Sequence, residues 1–219
     1  EALKYKKPLF LSTGVSNTNE IFIVKKILAR NNRYNVPITI FHCVSSYPPN
    51  EEEINLQYIK KLVSIFPNYE IGYSGHERGY LPSLASIFFG ARVIERHLTL
   101  NKKFKGPDHN SSLTKKEFGE LIFKSKKVFE YLKNNNTNFE KFVKTFKLLS
   151  IKSSVGKMEK NISLNSQFNK KILGKSAIYN KNFSTNKPIS LKDINFVSPG
   201  KGLSGLEFYN LKKKILKKN

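Results

Sequence analysis

Ile71-Gly-Tyr-Ser-Gly-His-Glu77 is followed by Val93-Ile-Glu-Arg-His-Leu-Thr-Leu100 and then by Gly106-Pro-Asp-His-Asn-Ser-Ser-Leu113. The first two stretches carry histidine and carboxylate side chains where β-strands are predicted to end. The third adds a Gly-Pro corner and another carboxylate. In a chain that alternates strands and helices, ligands bind beyond the carboxyl ends of the strands. We therefore expect a functional site where these strands end.

Side chains alternate faces along the predicted strand Ala91–His97, so Glu95 and His97 share one face and Arg96 takes the other. His76 ends the preceding strand, and both imidazoles reach one ion if the two strands are neighbours in a parallel sheet. Imidazole suits Mn, Fe, Zn or Ni better than Mg, and two protein ligands leave positions open for water or substrate. The alternative is two ordinary histidines, since their spacing matches no common metal motif.

Four βα units precede residue 134. The predicted strands are Pro8–Ser12, Val36–Val44, Glu70–Ser74 and Ala91–His97. The predicted helices are Thr18–Asn32, Glu51–Phe66, Leu81–Phe89 and a last helix that follows a capping-box pattern at Thr114 and Glu117 and ends near Lys133. Such alternation predicts an α/β fold with a parallel sheet. A TIM barrel has eight such units and about 250 residues, so residues 1–133 amount to half of one.

The composition changes after residue 133. The polar run Asn134–Asn138 opens a predicted linker over residues 134–163. From Leu164 onward, short β-like runs alternate with turns and predict a separate, small β-rich domain over residues 164–219. These runs are Ala177–Tyr179, Pro188–Ser190 and Asn195–Val197.

The formal net charge of +23 raises the question of a nucleic-acid partner. The chain has 34 lysines, spread over helix faces, but only 5 arginines, the residue that reads guanine edges with two hydrogen bonds. This pattern argues against sequence-specific binding of nucleic acid. The positive field would still attract anionic substrates.

The sequence shows no apolar stretch near the roughly 18 residues of a membrane span and no signal-peptide pattern, so no membrane association is expected. Its single cysteine, Cys43, excludes an internal disulfide and fits a cytoplasmic protein. We expect Cys43 to be a small buried residue on a strand.

The order GYSGHE, ERHLTL, GPDHNSSL resembles the sialic acid synthases, which condense phosphoenolpyruvate with an N-acetylated hexosamine. The likeness extends to Pro8–Gly14 and to the run His42-Cys-Val-Ser-Ser-Tyr-Pro48. Beyond the linker, Gly174–Ile178, Ile189–Ile194 and Ser198–Leu203 resemble the antifreeze-like (SAF) domain of that family.

This resemblance implies that residues 1–133 form the last four βα units of a TIM barrel, strands 5–8, and that residues 164–219 form an SAF domain shortened at its C-terminus. A homodimer is implied, in which the SAF domain covers the partner's site. An arginine that several members use there is replaced by Ser198, and Lys201 is a candidate for its role.

The resemblance also implies a divalent ion, commonly Mn²⁺ with Mg²⁺ or Co²⁺ as alternatives, held by the histidines that match His76 and His97. The ion would polarise the aldehyde oxygen of the open-chain sugar. C3 of phosphoenolpyruvate would then attack, water would add at C2, and phosphate would leave by C–O cleavage.

The residues implied in catalysis are Glu95 and Asp108, which would contact the amino-sugar, and Tyr47, which would lie between the two substrates. Ser12 and Ser45 would help to hold phosphoenolpyruvate. Taken alone, Ser45 has an equally ordinary role as a polar turn residue, and Asp108 in a Gly-Pro-Asp turn has one as a turn former.

Other readings stay open. The sugar product is expected to be sialic or legionaminic acid, with pseudaminic acid as the alternative within this class. A half-barrel without its partner strands should be inactive alone, so a non-catalytic module that binds a sugar or complements another subunit is the competing class.

Overall fold

The computed structural model describes residues 2–32, 34–134, 136–160, 162, 164–179, 193–199 and 202–215. The chain divides into two compact units, Glu1–Ser163 and Leu164–Asn219. Within the described ranges, no helix is both long enough and apolar enough to cross a membrane.

The first unit is built on a four-stranded sheet in which every neighbouring pair is parallel and the strands follow chain order. The strands are β1 (Leu9–Ser12), β2 (Ile38–Cys43), β3 (Glu70–Gly75) and β4 (Val93–Arg96). The helices are α1 (Thr18–Asn31), α2 (Glu51–Ile54), α3 (Tyr58–Ile65), α4 (Leu81–Ser86), α5 (Lys115–Lys133), α6 (Phe139–Thr145) and α7 (Lys152–Val155), with 3₁₀ turns at Ala2–Tyr5 and Leu149–Ile151. The predicted α/β class and parallel sheet are confirmed.

Local sequence explains where these elements begin. Strand β2 is buried along its whole length, as a central parallel strand covered on both faces must be, and its apolar run satisfies that demand. Helix α5 begins with the predicted capping box, in which the Thr114 hydroxyl accepts from the backbone N–H of Glu117 and the Glu117 carboxylate accepts from that of Thr114.

The single helix predicted over Glu51–Phe66 is wrong, because the chain breaks between α2 and α3 at Asn55. This residue adopts a left-handed backbone conformation with φ of 52°. The backbone N–H groups of Leu56 and Gln57 then donate to the carbonyls of Ser154 and Val155 instead of to their own helix, at 2.8 and 2.9 Å. A later part of the chain therefore takes the place of a helical turn.

Residues 134–163 differ from the linker that their polar composition suggested. They include α6 and α7, and their apolar side chains belong to the core of the first unit. Phe142 is fully buried and stacks on Phe88 at a centroid distance of 4.7 Å. This segment therefore belongs to the first unit, although its asparagine-rich start suggested a linker.

The second unit has an antiparallel sheet in the order β6-β5-β7, where β5 is Ser176–Tyr179, β6 is Ile194–Val197 and β7 is Leu203–Ser204. Two helices that the β-like texture did not predict, α8 (Leu164–Leu173) and α9 (Gly205–Ile215), accompany it. The predicted runs Ala177–Tyr179 and Asn195–Val197 lie on β5 and β6. The run Pro188–Ser190 and Lys201 lie outside the described residues.

Strand β1 borders the first sheet with only β2 as a neighbour in the described part of the chain. Phe10, on this edge strand, leaves 61% of its surface exposed although one side of its ring meets Phe41. An unpaired edge with an exposed aromatic residue is a template for pairing with another chain.

We therefore expect the 219-residue chain to self-associate in a concentration-dependent way, as measured by size-exclusion chromatography with light scattering. Phe10→Lys should shift the distribution toward monomer, because it places a charge on the edge. Leu100→Lys, at a loop residue that is 89% exposed, is the control and should change nothing. A wild-type chain that stays monomeric at all concentrations would contradict this expectation.

Candidate active site

The carboxyl ends of β3 and β4 bring the predicted histidines together. The strand register pairs Ser74 with Glu95 and Gly75 with Arg96, so His76 and His97 each follow directly after a paired position. Their rings meet edge to face with centroids 5.3 Å apart. The two strands are neighbours in a parallel sheet, which is the condition under which the sequence predicted that both imidazoles would lie close together.

A buried ion pair lies behind the two histidines. Arg96 donates from Nη1 to Oε1 of Glu77 at 2.5 Å, and both side chains are almost fully buried. The same guanidinium also donates to the carbonyl oxygens of Glu77, Gly79 and Ser111 and to the hydroxyl of Ser83. Because Glu77 follows His76 and Arg96 precedes His97, this network fixes the backbone on which both imidazoles stand.

His76 is held in one orientation by its backbone contact. Its Nδ1 lies 2.9 Å from the carbonyl oxygen of Val44, so Nδ1–H donates and Nε2 keeps its lone pair. Burial, the largest cause, lowers the pKa of His76, and the hydrogen bond to Val44 offsets part of that shift. A neutral imidazole with a fixed tautomer is the form that binds a metal ion.

The predicted residues surround one cavity of about 270 Å³ at the strand ends. Its lining comprises Ser12, Gly14, Val15, Cys43, Ser45, Tyr47, Ser74, His76, Glu95 and His97. Six of the seven predicted site residues are therefore brought together, and Asp108 is the exception. Its carboxylate lies outside this lining, about half exposed, with Oδ2 3.9 Å from Nδ1 of His97.

Tyr47 and Glu95 both lie in the exposed part of the cavity wall. The Tyr47 ring packs on His76 at a centroid distance of 4.3 Å, and partial burial raises the pKa of its phenol. Glu95 is exposed, and its Oε1 accepts a hydrogen bond from the Ser74 hydroxyl at 2.7 Å. The site thus pairs a protonated phenol with an accessible carboxylate.

The turn after β1 needs Gly14. A Cβ at this position would lie only 2.1 Å from Oγ of Ser45 and 3.1 Å from Sγ of Cys43. This close approach brings the ends of β1 and β2 together, so that Ser12 and Ser45 face one space.

Two side chains of the site, those of His76 and His97, suit the binding of one divalent ion. Among the described residues, no group of three or more His, Cys, Asp or Glu side chains is placed to hold a metal. His76 and His97 are the pair that remains, and with two protein ligands the other coordination positions would fall to water or substrate. This arrangement suits an ion that acts on a bound oxygen rather than a closed structural site.

Two buried groups beneath the cavity were not predicted. His42 is fully buried, and its Nε2 lies 2.7 Å from the carbonyl oxygen of Ile54. Lys160, from the segment expected to be a linker, reaches the carboxyl ends of β1 and β2. His42 stood in a quoted motif and was therefore visible, whereas nothing in a chain with 34 lysines marks Lys160.

Breaking the ion pair tests whether it holds the site. Arg96→Met leaves the Glu77 carboxylate buried without its partner, so we expect the free energy of unfolding to fall by about 3 to 5 kcal/mol. Arg78→Met is the matched control because Arg78 is exposed. Urea titrations of the two variants should separate clearly, and equal midpoints would show that Arg96 is not needed to offset the buried Glu77 carboxylate.

His42 predicts a pH dependence of stability. Burial, with the charge of Lys160 as a smaller cause, lowers the pKa of folded His42 from 6.5 to about 3. Between these values the unfolded chain takes up a proton that the folded chain does not. The free energy of unfolding therefore falls as the pH drops from 6.5 toward 3, by up to about 1.4 kcal/mol per pH unit from this group.

His42→Gln should reduce that slope in urea titrations between about pH 7 and about pH 5, while His109→Gln, in a partly exposed loop, should keep it. A variant slope equal to that of the wild-type chain would show that His42 is protonated when folded.

Comparison with known proteins identifies the group to which this site belongs. The sequence profile of the NeuB family matches residues 1–137. The N,N'-diacetyllegionaminic acid synthase of Campylobacter jejuni is 31% identical over 216 residues, which cover 99% of this chain and 58% of that enzyme. The N-acetylneuraminate-9-phosphate synthase of Drosophila melanogaster is 39% identical over 121 residues, 55% of this chain and 32% of that enzyme.

Among solved structures, the spore coat polysaccharide biosynthesis protein SpsE of Bacillus subtilis superposes with a TM-score of 0.77 at 24% identity, over 95% of this chain and 56% of that one. This likeness supports the α/β fold with its separate small sheet. Two relatives match more than nine-tenths of this chain, and the chain spans about half of the length of each of them. With its motifs, its sheet and the profile match in agreement, the chain belongs to the NeuB family.

Proposed function

We propose that this chain carries the metal and sugar side of a nonulosonic acid synthase, which joins phosphoenolpyruvate to an N-acetylated hexosamine and releases phosphate by C–O cleavage. The observation that carries the proposal is the juxtaposition of His76, His97, Glu95 and Tyr47 around one cavity at the carboxyl edge of a parallel sheet. The named synthases among the relatives support the reaction class.

His76 and His97 would hold a divalent ion, Mn²⁺ being our first choice, and such an ion supplies Lewis-acid polarisation of the aldehyde oxygen. The hydrogen bond from His76 Nδ1 to Val44 keeps Nε2 available for this role. The ion pair of Glu77 and Arg96 behind them would keep both rings in place when substrate arrives.

Glu95 and Tyr47 act on the substrates in this proposal. Oε1 of Glu95 is engaged by Ser74, so Oε2 is the atom that orients a sugar hydroxyl or moves a proton. Tyr47 keeps its proton because burial raises its pKa, so its phenol donates a hydrogen bond between the two substrates. Asp108, beside His97, would contact the amino-sugar once the sugar fills the space between them.

Ser12 and Ser45 would hold phosphoenolpyruvate at the other end of the cavity, where Gly14 lets the two strand ends approach closely. We further propose that the first unit is strands 5–8 of a TIM barrel, and that the second is an SAF domain that covers the partner's site in a homodimer. Activity would then require the remaining barrel strands.

The product is proposed to be sialic or legionaminic acid. The relative that matches 99% of this chain is a diacetyllegionaminic acid synthase, which favours this choice over pseudaminic acid. Product analysis with each amino-sugar decides between them, and a strong preference for the pseudaminic precursor would overturn the choice.

The substitution His97→Ala, made in the complete gene product, tests whether His97 is a ligand of the metal ion. Metal-dependent turnover of phosphoenolpyruvate and N-acetylated hexosamine should be lost, because one of two protein ligands is removed. His109→Ala is the control, since this imidazole contacts Thr99 and Phe104 outside the cavity. Undiminished turnover of His97→Ala, with unchanged dependence on Mn²⁺, would sink the assignment.

A further inference from the structure

Lys160 is a buried cation that has no acidic partner among the residues that the structure describes. Only 7% of the residue is exposed, and its Nζ donates to the carbonyl oxygen of Thr13, to the Thr13 hydroxyl at 3.0 Å and to the carbonyl oxygen of Cys43 at 3.0 Å. The Tyr58 ring lies 5.8 Å away. No carboxylate in the described part of the chain lies within ion-pair distance of it. Burying such a charge is costly unless an anion offsets it.

The local sequence is built to deliver this side chain. Gly156 has a φ of 61°, and a Cβ there would lie 2.2 Å from Oδ1 of Asn55. The Asn55 side chain accepts from the backbone N–H of Lys157 and donates to the carbonyl oxygen of Glu159. Asn55, itself left-handed, therefore clamps residues 157–159 and directs Lys160 inward.

The partners of Lys160 belong to the two chain segments that line one end of the cavity. Thr13 stands between Ser12 and Gly14, and both of these residues line the cavity, as does Cys43. The ammonium group thus binds the carbonyl ends of β1 and β2 from behind the surface that faces a ligand. It ties together the two strand ends that present the serines and supplies a positive charge to that end of the cavity.

We propose that Lys160 is a positioning residue for the anionic substrate, whose phosphate or carboxylate group would lie at the end of the cavity lined by Ser12, Gly14 and Ser45. The inference rests on the proposed function and adds that a residue from beyond the last sheet helix α5 sets affinity for phosphoenolpyruvate. The bound anion is the missing partner of the buried ammonium group.

The electrostatic surroundings agree with this role. Burial lowers the pKa of Lys160 to about 8, so the group is still charged at neutral pH. The titratable groups that face it are His42 and Cys43 on β2 and Tyr58 on α3. His42 has a pKa of about 3, and burial raises the pKa of the thiol and of the phenol, so all three are neutral where Lys160 titrates.

The test compares Lys160→Met and Lys160→Arg with Lys157→Met, an exposed lysine of the same segment, in the protein as its gene encodes it. Lys160→Met should raise the KM for phosphoenolpyruvate about tenfold, the loss expected for one fixed charge near an anion. The KM for the hexosamine should stay near the wild-type value. Lys160→Arg should restore much of the loss, and Lys157→Met should behave as wild type.

The pH profile separates a charge effect from a packing effect. The wild-type KM for phosphoenolpyruvate should rise above about pH 8 as Lys160 loses its proton, and Lys160→Arg should remove that rise because arginine stays charged. This wild-type measurement stands even if Lys160→Met does not fold. A flat wild-type profile, or a Lys160→Met variant that is weakened equally for both substrates, would overturn the proposal.

Direct binding distinguishes this inference from the proposed function. Calorimetric titration with phosphoenolpyruvate, and with inorganic phosphate as a second probe, needs no turnover. If the wild-type protein binds phosphoenolpyruvate and Lys160→Met binds it equally well, only the role of Lys160 fails. If the wild-type protein binds no phosphoenolpyruvate, the proposed function and this inference fail together.

Discussion

The buried ion pair between Arg96 and Glu77 is the constraint on which the site depends. It joins the residue after His76 to the residue before His97, across two neighbouring parallel strands. Five hydrogen bonds from the guanidinium to a carboxylate, a hydroxyl and three carbonyl oxygens leave that junction little freedom. Such a pair adds little to stability compared with an apolar core, yet it fixes geometry. Here the geometry fixed is that of two imidazoles whose ring centroids lie 5.3 Å apart.

A second constraint comes from outside the sheet. The segment that follows α5 takes hydrogen bonds from the broken turn after α2 and inserts Lys160 beneath the ends of β1 and β2. The cavity is therefore supported by two separate parts of the chain. One end carries the histidines and Glu95 from β3 and β4, and the other carries the serines, backed by a buried positive charge. This polarity suits a reaction that brings an anionic substrate to a carbonyl compound.

The two-residue repeat of the strands and the sequence motifs predicted those features that local sequence determines. Alternation placed Glu95 and His97 on one face and Arg96 on the other, because a strand of this kind has a fixed two-residue repeat. Sequence could not reveal the break at Asn55, because the carbonyls that replace the helical bonds come from residues about a hundred positions away. The same long-range packing turned an asparagine-rich stretch into part of the first unit and buried one lysine out of 34. Strand alternation gives no position for Asp108, because it lies on a loop, and the structure places its carboxylate 3.9 Å from His97.

The most direct test of the proposed two-histidine metal site is pulsed electron paramagnetic resonance of the Mn²⁺-loaded protein, as its gene encodes it, with ¹⁵N-labelled histidine. Two imidazole nitrogens coupled to one Mn²⁺ ion are the predicted result, with one coupling lost in His76→Ala and the other in His97→Ala. A Mn²⁺ signal without histidine coupling, or one that both variants leave unchanged, would contradict the assignment of His76 and His97 as its ligands.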